Sequence, residues 1–248
     1  MKPFLYIAGL FRSGTTLVQE LLTEKDVSFI FHEPRFGDGW WQFQEHDRNY
    51  LRTHWNLELP AYLPNVGETW DWFQKQDIQI GAKEIRNAKG RFYYDTWMGN
   101  MRFIVVDRDP ADVFISAHKM MLRSNTDFTW SPRYLPFNAV NIYRELIEEV
   151  RNINAIWEWC HPKCRMVVHY KDVCEGKTED LYDFAESDVQ NPEVGYYHSI
   201  LTRGKYENGL HGNEITKASF DYGKYYDKRI STEAVKLRNL LDREKAWL

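Results

Sequence analysis

Long hydrophobic runs are missing: nothing in the 248 residues approaches the roughly 20 consecutive apolar positions of a membrane-spanning helix. Cysteine is scarce and odd in number, with only Cys160, Cys164 and Cys174, which excludes a disulfide-stapled scaffold. Their spacing, together with His161 and His169 and interrupted by Pro162, fits no closed zinc pattern, so no metal is expected. An excess of one charge is missing too. Thirty-two basic against 36 acidic side chains leave a formal net charge of −4, which argues against a general grip on nucleic acid. Any anion bound here must be held by local groups. The first residues lack the basic region, long apolar stretch and small-residue cleavage site of a signal peptide, so a reduced, cytoplasmic, globular protein is expected. No internal repeat, low-complexity tract or linker is visible, and residues 1–248 read as a single domain.

What is present is a large apolar fraction, 43%, and an abundance of aromatic side chains: 10 Trp, 15 Tyr and 14 Phe. A cluster of them lies between about 36 and 75, including Trp40, Trp41, Phe43, Trp55, Tyr62, Trp70, Trp72 and Phe73, beside His46 and His54. Its periodicity is poor and Gly and Pro punctuate it. This stretch reads as an insertion over the mouth of a crevice, offering aromatic faces to an acceptor, or as a small satellite core under a long loop.

Phe4-Leu5-Tyr6-Ile7-Ala8 is a continuous apolar run suited to a parallel strand covered on both faces. It leads into Gly9-Leu10-Phe11-Arg12-Ser13-Gly14-Thr15-Thr16. From Leu17 the pattern turns helical, with Leu17, Val18, Leu21 and Leu22 as the apolar stripe and Gln19 and Glu20 outside it. Strand, glycine turn and helix form the setting in which converging backbone N–H groups cradle a phosphate. Against the triphosphatase pattern G-x-x-x-x-G-K-[ST], both glycines and Thr16 fit, whereas Thr15 stands at the lysine position. The cation has moved to Arg12, inside the loop. Such a loop should hold an anion of another shape, with Arg12 forking onto it.

Arg12-Ser13-Gly14-Thr15-Thr16-Leu17 after a strand resembles the 5′-phosphosulfate loop of sulfotransferases that use 3′-phosphoadenosine 5′-phosphosulfate (PAPS). The arginine form is similar to the tyrosylprotein and Golgi carbohydrate branches and to many bacterial members. Cytosolic phenol and steroid sulfotransferases carry lysine there, then tryptophan where Leu17 stands, so the adenine should stack on a different residue here. A second strand, Val27-Ser28-Phe29-Ile30-Phe31, ends at His32-Glu33-Pro34. In the tyrosylprotein and carbohydrate branches a glutamate at a similar distance beyond the loop is the base that deprotonates the acceptor. The resemblance thus implies that role for Glu33, with His32 as the rival. A carboxylate at the C-terminal edge of a parallel strand faces the ligand crevice, where it can take a proton.

Met101 to Asp107 reads as another buried strand, followed by Arg108-Asp109-Pro110, a helix start with Asp109 as N-cap and Pro110 in the first turn. Arg108 and Ser116, eight positions apart, resemble the family pair that binds the 3′-phosphate. Lys83, at the exit of a strand over Ile78–Glu84, resembles a lysine that stabilises the transferring sulfuryl group, and reads equally as a solvated lysine. Met166 to Asp172 reads as a strand, and its Tyr170 resembles the family tyrosine that approaches the adenine. Toward the C-terminus, Arg203 and Lys224 each resemble, faintly, a basic residue that meets the 3′-phosphate. Between Ser116 and Met166, a helix from about Asn138 to Trp159 carries Ile142, Leu146, Val150, Ile153 and Trp157 at core-facing spacing and no assigned chemistry.

The expected fold is α/β, three-layer and P-loop-like, with a mostly parallel central sheet flanked by helices. The expected activity is metal-free sulfuryl transfer from PAPS to a hydroxyl of a small-molecule or carbohydrate acceptor, leaving 3′-phosphoadenosine 5′-phosphate (PAP). The loop residues Arg12, Ser13, Gly14, Thr15, Thr16 and Leu17 would hold the 5′ end. The rivals are a P-loop nucleotide kinase and a non-catalytic nucleotide-binding module.

Overall fold

The computed structural model describes residues 2–36, 41–63, 68, 71–72, 75, 77–84, 100–114, 116, 139–195 and 228–248. Five strands form the central sheet: β1 (Phe4–Gly9), β2 (Ser28–His32), β6 (Gln79–Glu84), β7 (Met101–Asp107) and β8 (Arg165–His169). Their order is β2-β6-β1-β7-β8 and every pairing is parallel. Three two-residue strands, β3 (Arg35–Phe36), β4 (Trp41–Gln42) and β5 (Tyr62–Leu63), make a separate antiparallel sheet. The helices are α1 (Thr15–Leu21), α2 (Glu45–Tyr50), α3 (Ala139–Trp159), α4 (Tyr170–Cys174), α5 (Glu179–Ala185) and α6 (Lys228–Glu244).

The apolar runs divide between two faces, as the two-residue strand period requires. Phe4, Tyr6 and Ala8 of β1, Phe29 and Phe31 of β2, and Phe103 and Val105 of β7 belong to one core. Leu5, Ile7, Ile30, Ile104 and Val106 belong to the other. The first core is closed by Leu146, Val150, Ile153 and Ile156 of α3 and by Leu237 and Leu241 of α6. The second is closed by Val18 of α1 and by Leu22, Val173, Leu181 and Ala185. Helices on both faces of a parallel sheet give the three-layer α/β architecture expected from the strand patterning.

The aromatic-rich stretch is built into the first core. Phe43, Leu51, Trp55, Leu59 and Leu63 are buried in it, and Trp72 packs against it. Phe29 meets Phe31 and Trp55 edge-on, at 4.9 and 5.2 Å between ring centroids. These rings extend the main core instead of forming a satellite. Tyr62, half exposed, shows an open face. Trp40, Trp70 and Phe73 lie outside the described residues.

Two local expectations are corrected. Gln19 and Glu20, read as the outer face of α1, are 0% and 1% exposed, because a second layer covers that face. Glu20 Oε2 accepts the Gly195 amide at 2.9 Å, and Gln19 turns inward to β2. The strand read over Met166 to Asp172 ends at His169, which is paired with Asp107, the last residue of β7. With no further ladder to join, Tyr170, Lys171 and Asp172 open α4.

Candidate active site

Parallel strands deliver all their C-terminal ends to one edge, and the sequence places its polar residues there. The loop after β1 is shaped by two glycines. A Cβ on Gly9 would lie 2.4 Å from Ser13 Oγ and 2.8 Å from the Val106 carbonyl oxygen. Gly14 has φ 101°, and a Cβ there would sit 2.2 Å from the Tyr170 ring. Arg12 takes the left-handed region as well, at φ 71°. Inside the loop the Ser13 amide donates to Leu10 O at 2.8 Å, and the Phe11 amide to buried Glu149 Oε2 at 2.8 Å. The amides of Gly14, Thr15 and Thr16 are the orphan donors where α1 starts, and they have no hydrogen-bond partner among the described residues. Ser13 Oγ, fully buried, has none either. Unpaired donors converging beside a buried hydroxyl make a cradle suited to an anion. Leu17, just beyond it, packs partly against the second core.

After β7, the Asp109 side chain caps the next helix by accepting the Ala111 amide at 2.8 Å. Arg108 donates through Nη1 to Arg12 O at 3.1 Å and lies 4.4 Å over the Tyr170 ring. Arg12 Nε in turn donates to Ser116 Oγ at 3.2 Å. The loop and the Arg108–Ser116 pair, read separately from the sequence, are thus one connected cluster. Asp109, the neighbour of Arg108 in sequence, pairs with Arg238 of α6 at 2.6 Å. Asp112, near both arginines, has its carboxyl pushed up by burial and pulled back by Arg108. A cavity of about 400 Å³ opens here, bounded by Arg108, Tyr170, Asp109, Asp112 and His169 among others.

On the other side of β1, the ends of β2 and β6 bring Lys83 to Glu33. Lys83 is 2% exposed, and its Nζ donates to Glu33 Oε1 at 2.7 Å. It is therefore a buried ion-paired lysine, where the sequence left open a solvated one. Burial lowers its pKa from the ordinary lysine value, against the opposing pull of Glu33, Asp47 and Glu84. Glu33 sits at φ 46°, its amide donating to Lys83 O at 2.8 Å and its carbonyl accepting from Gln44 Nε2 at 2.9 Å. Bonds on both sides of the peptide hold a conformation that costs a non-glycine residue energy. His32 is buried, with Nδ1 2.8 Å from Gln19 Oε1 and Nε2 3.3 Å from Lys83 Nζ. Its backbone amide donates to buried Asp47 at 3.0 Å, and burial pushes the Asp47 carboxyl well up. His46 Nε2 lies 3.5 Å from that carboxylate, and burial lowers the His46 pKa to about 4. Beyond Lys83, Tyr6 OH donates to Glu84 Oε2 at 2.8 Å.

The structure gathers Arg12, Ser13, Gly14, Thr15, Thr16, Arg108, Ser116 and Tyr170 into one cluster, and His32, Glu33 and Lys83 into another across β1. Arg203 and Lys224 lie outside the described residues. Asp47 and Glu149 went unnoticed in the sequence, and Gln19 was read only as part of the outer face of α1; each is a polar residue on a helix, with no motif to mark its role. Cys160, in the first core, donates to Cys164 O at 3.4 Å, its thiol pushed up to about 11 by burial. Among the described residues no helix is long and apolar enough to cross a membrane.

Comparison with known proteins bears on the family and the fold. The structure is similar to the sulfotransferase domain of the Synechococcus PCC 7002 olefin synthase, with TM-score 0.60 and 15% identity over 97% of this chain and 94% of that one. It is similar also to the sulfotransferase domain of the curacin biosynthetic pathway, at 0.57 and 14% over 98% of each chain. A mouse sulfotransferase complexed with PAP matches at 0.50 and 10%, over 98% of this chain and 89% of that one. Curated protein sequences give no match. The profile described as the sulfotransferase family matches residues 3–191, more than half of the chain, and with the shared fold it shows that this protein is an enzyme belonging to the sulfotransferase family.

Proposed function

We propose that this sulfotransferase takes its sulfuryl group from PAPS and passes it to a hydroxyl of an alcohol, carbohydrate or phenol, releasing PAP. The observation that carries the reading is the buried Lys83–Glu33 pair, set across β1 from a loop with three orphan amides. The donor set fits such a ligand: the amides of Gly14, Thr15 and Thr16, with Ser13 Oγ and Arg12, suit the 5′-phosphosulfate. Arg108 and Ser116 suit the 3′-phosphate, and Tyr170 and the adjoining cavity suit the adenosine. The mouse enzyme of the same fold was solved with PAP. Three free cysteines fit a reducing, cytoplasmic setting.

In this scheme Glu33 accepts the acceptor's hydroxyl proton as the new O–S bond forms. The bond from sulfur to the bridging oxygen breaks, and its electron pair leaves on PAP. Lys83 has three N–H groups. Two are engaged by Glu33 and His32, and the third serves the sulfuryl oxygens. Arg12 and the loop amides balance charge on the departing phosphate. His32 is the weaker candidate base, because its Nε2 lone pair already faces Lys83. Catalysis is then mostly positioning and electrostatics.

The test is Glu33→Gln, assayed with labelled PAPS against a panel of alcohols, sugars and phenols. Transfer should fall by roughly 10²–10⁴-fold while affinity for 3′,5′-ADP stays near the wild-type value. Full activity in this variant would remove Glu33 from the scheme. Dependence on magnesium and ATP would point to a kinase instead.

A further inference from the structure

Gln19 is fully buried, lies on α1 three residues beyond Thr16 of the loop, and has both ends of its amide engaged. Nε2 donates to Ile30 O at 2.8 Å, which fixes which end of the amide is nitrogen and leaves Oε1 as an acceptor. His32 Nδ1 lies 2.8 Å from that Oε1, so Nδ1 must carry the imidazole proton. A neutral ring protonated at Nδ1 leaves a lone pair on Nε2, where the Lys83 ammonium donates at 3.3 Å. The same ammonium donates to Glu33 at 2.7 Å. The chain runs from a carbonyl of β2 through an amide and an imidazole to the cation that holds the carboxylate.

We infer that Gln19 is a positioning residue: by selecting the His32 tautomer protonated at Nδ1, it makes His32 an acceptor that aims Lys83 between Glu33 and the transferring group. The opposite tautomer would point an N–H at the ammonium, and Lys83 would turn away from His32. The charged and titratable groups around His32 are Lys83 from β6, its neighbour Glu33, and His46 and Asp47 from α2. Lys83 and Glu33 lie on the Nε2 side and Asp47 on the backbone side, whereas Gln19 Oε1 faces Nδ1. Asp47 binds the His32 backbone amide, which holds the residue in place but leaves the ring's proton to Gln19. As far as it concerns turnover, the inference rests on the sulfuryl-transfer reading above.

The tautomer itself is measurable without any substrate. Long-range 15N–1H spectra of histidine-labelled wild-type protein, assigned with a His32→Asn variant, should show His32 protonated at Nδ1 alone at pH 7 to 8. A proton on Nε2 there would overturn the inference, whatever donor the enzyme uses. In Gln19→Met, which keeps the volume and removes both bonds, the tautomer should become mixed. With an active acceptor, kcat should drop roughly tenfold while KM and the affinity for 3′,5′-ADP stay within about twofold. Gln19→Glu keeps an acceptor for Nδ1 but cannot donate to Ile30 O, so at pH 8 it should restore both the tautomer and much of kcat. If Gln19→Glu and Gln19→Met lose activity and folding stability equally, Gln19 only packs, and the inference falls. If no acceptor accepts sulfuryl from PAPS, the donor reading fails while the tautomer spectra still decide this one.

Discussion

At the level of single residues, the site's behaviour follows from where charges are buried. Lys83 is pressed toward its neutral form by burial and held charged by Glu33, so its proton is lost at a lower pH than that of an ordinary lysine. If the cation is needed for transfer, the rate should fall on the alkaline side earlier than a free lysine would allow. The pH profile of kcat checks this, and an alkaline limb unchanged in Lys83→Met would refute it. Arg108→Ala should weaken 3′,5′-ADP by roughly 10–100-fold, the worth of a charged hydrogen bond, and 5′-ADP far less. Calorimetry with both ligands separates the outcomes, and equal losses would argue against a 3′-phosphate contact. Arg12, Glu33 and Arg108 were legible in the sequence because each sits next to a glycine or proline turn at the end of an apolar run. Gln19 was not. On a helical wheel it belongs to the outer face of α1, and only the tertiary layer that covers that face buries it.

Among the elements, the central strands were legible as uninterrupted apolar runs, since a strand covered on both faces has no polar side. The end of β8 was not, because Tyr170, Lys171 and Asp172 suit either state. What decides there is the length of β7, whose last residue, Asp107, pairs with His169. The same turn brings Tyr170 against Gly14, so two elements far apart in sequence share one tight contact. Gly14→Ala should then lose about 1–3 kcal/mol of stability, from a positive φ and from displacing the Tyr170 ring. Urea denaturation measures it. A Gly14→Ala, Tyr170→Ala double variant should regain part of the loss, and no recovery would show that the ring is not the obstacle. The short β3-β4-β5 sheet was invisible in advance, as two-residue strands leave no alternation to detect.

For the whole molecule, the layer architecture could be read from the order of apolar runs, whereas the use of the aromatic stretch could not. Aromatic composition alone does not say whether a ring faces a core or a ligand, and here Phe43 and Trp55 joined the main core. Stability should carry a signature of the buried α2 end. His46 has its pKa lowered from 6.5 to about 4, so below about 6.5 the unfolded chain takes up a proton that the native one refuses. Stability contributed by keeping His46 neutral is therefore complete above pH 6.5 and lost as the pH falls toward 4. His46→Gln should flatten that slope in urea titrations at pH 4.5 and 7, and an unchanged slope would assign the acid loss elsewhere. The last turn of the chain has a role in the same balance. Buried Lys245 donates to Asp107 Oδ1 at 2.8 Å and Trp247 Nε1 to the same oxygen at 3.2 Å. Asp107 directly precedes Arg108. Lys245, just beyond α6, thus supplies Asp107 with a counterion of its own, separate from the neighbouring guanidinium. Clipping residues 245–248 would leave Asp107 to turn to Arg108, its neighbour in sequence, and calorimetry with 3′,5′-ADP should then show weaker binding through a rivalry over one cation; unchanged affinity would refute this.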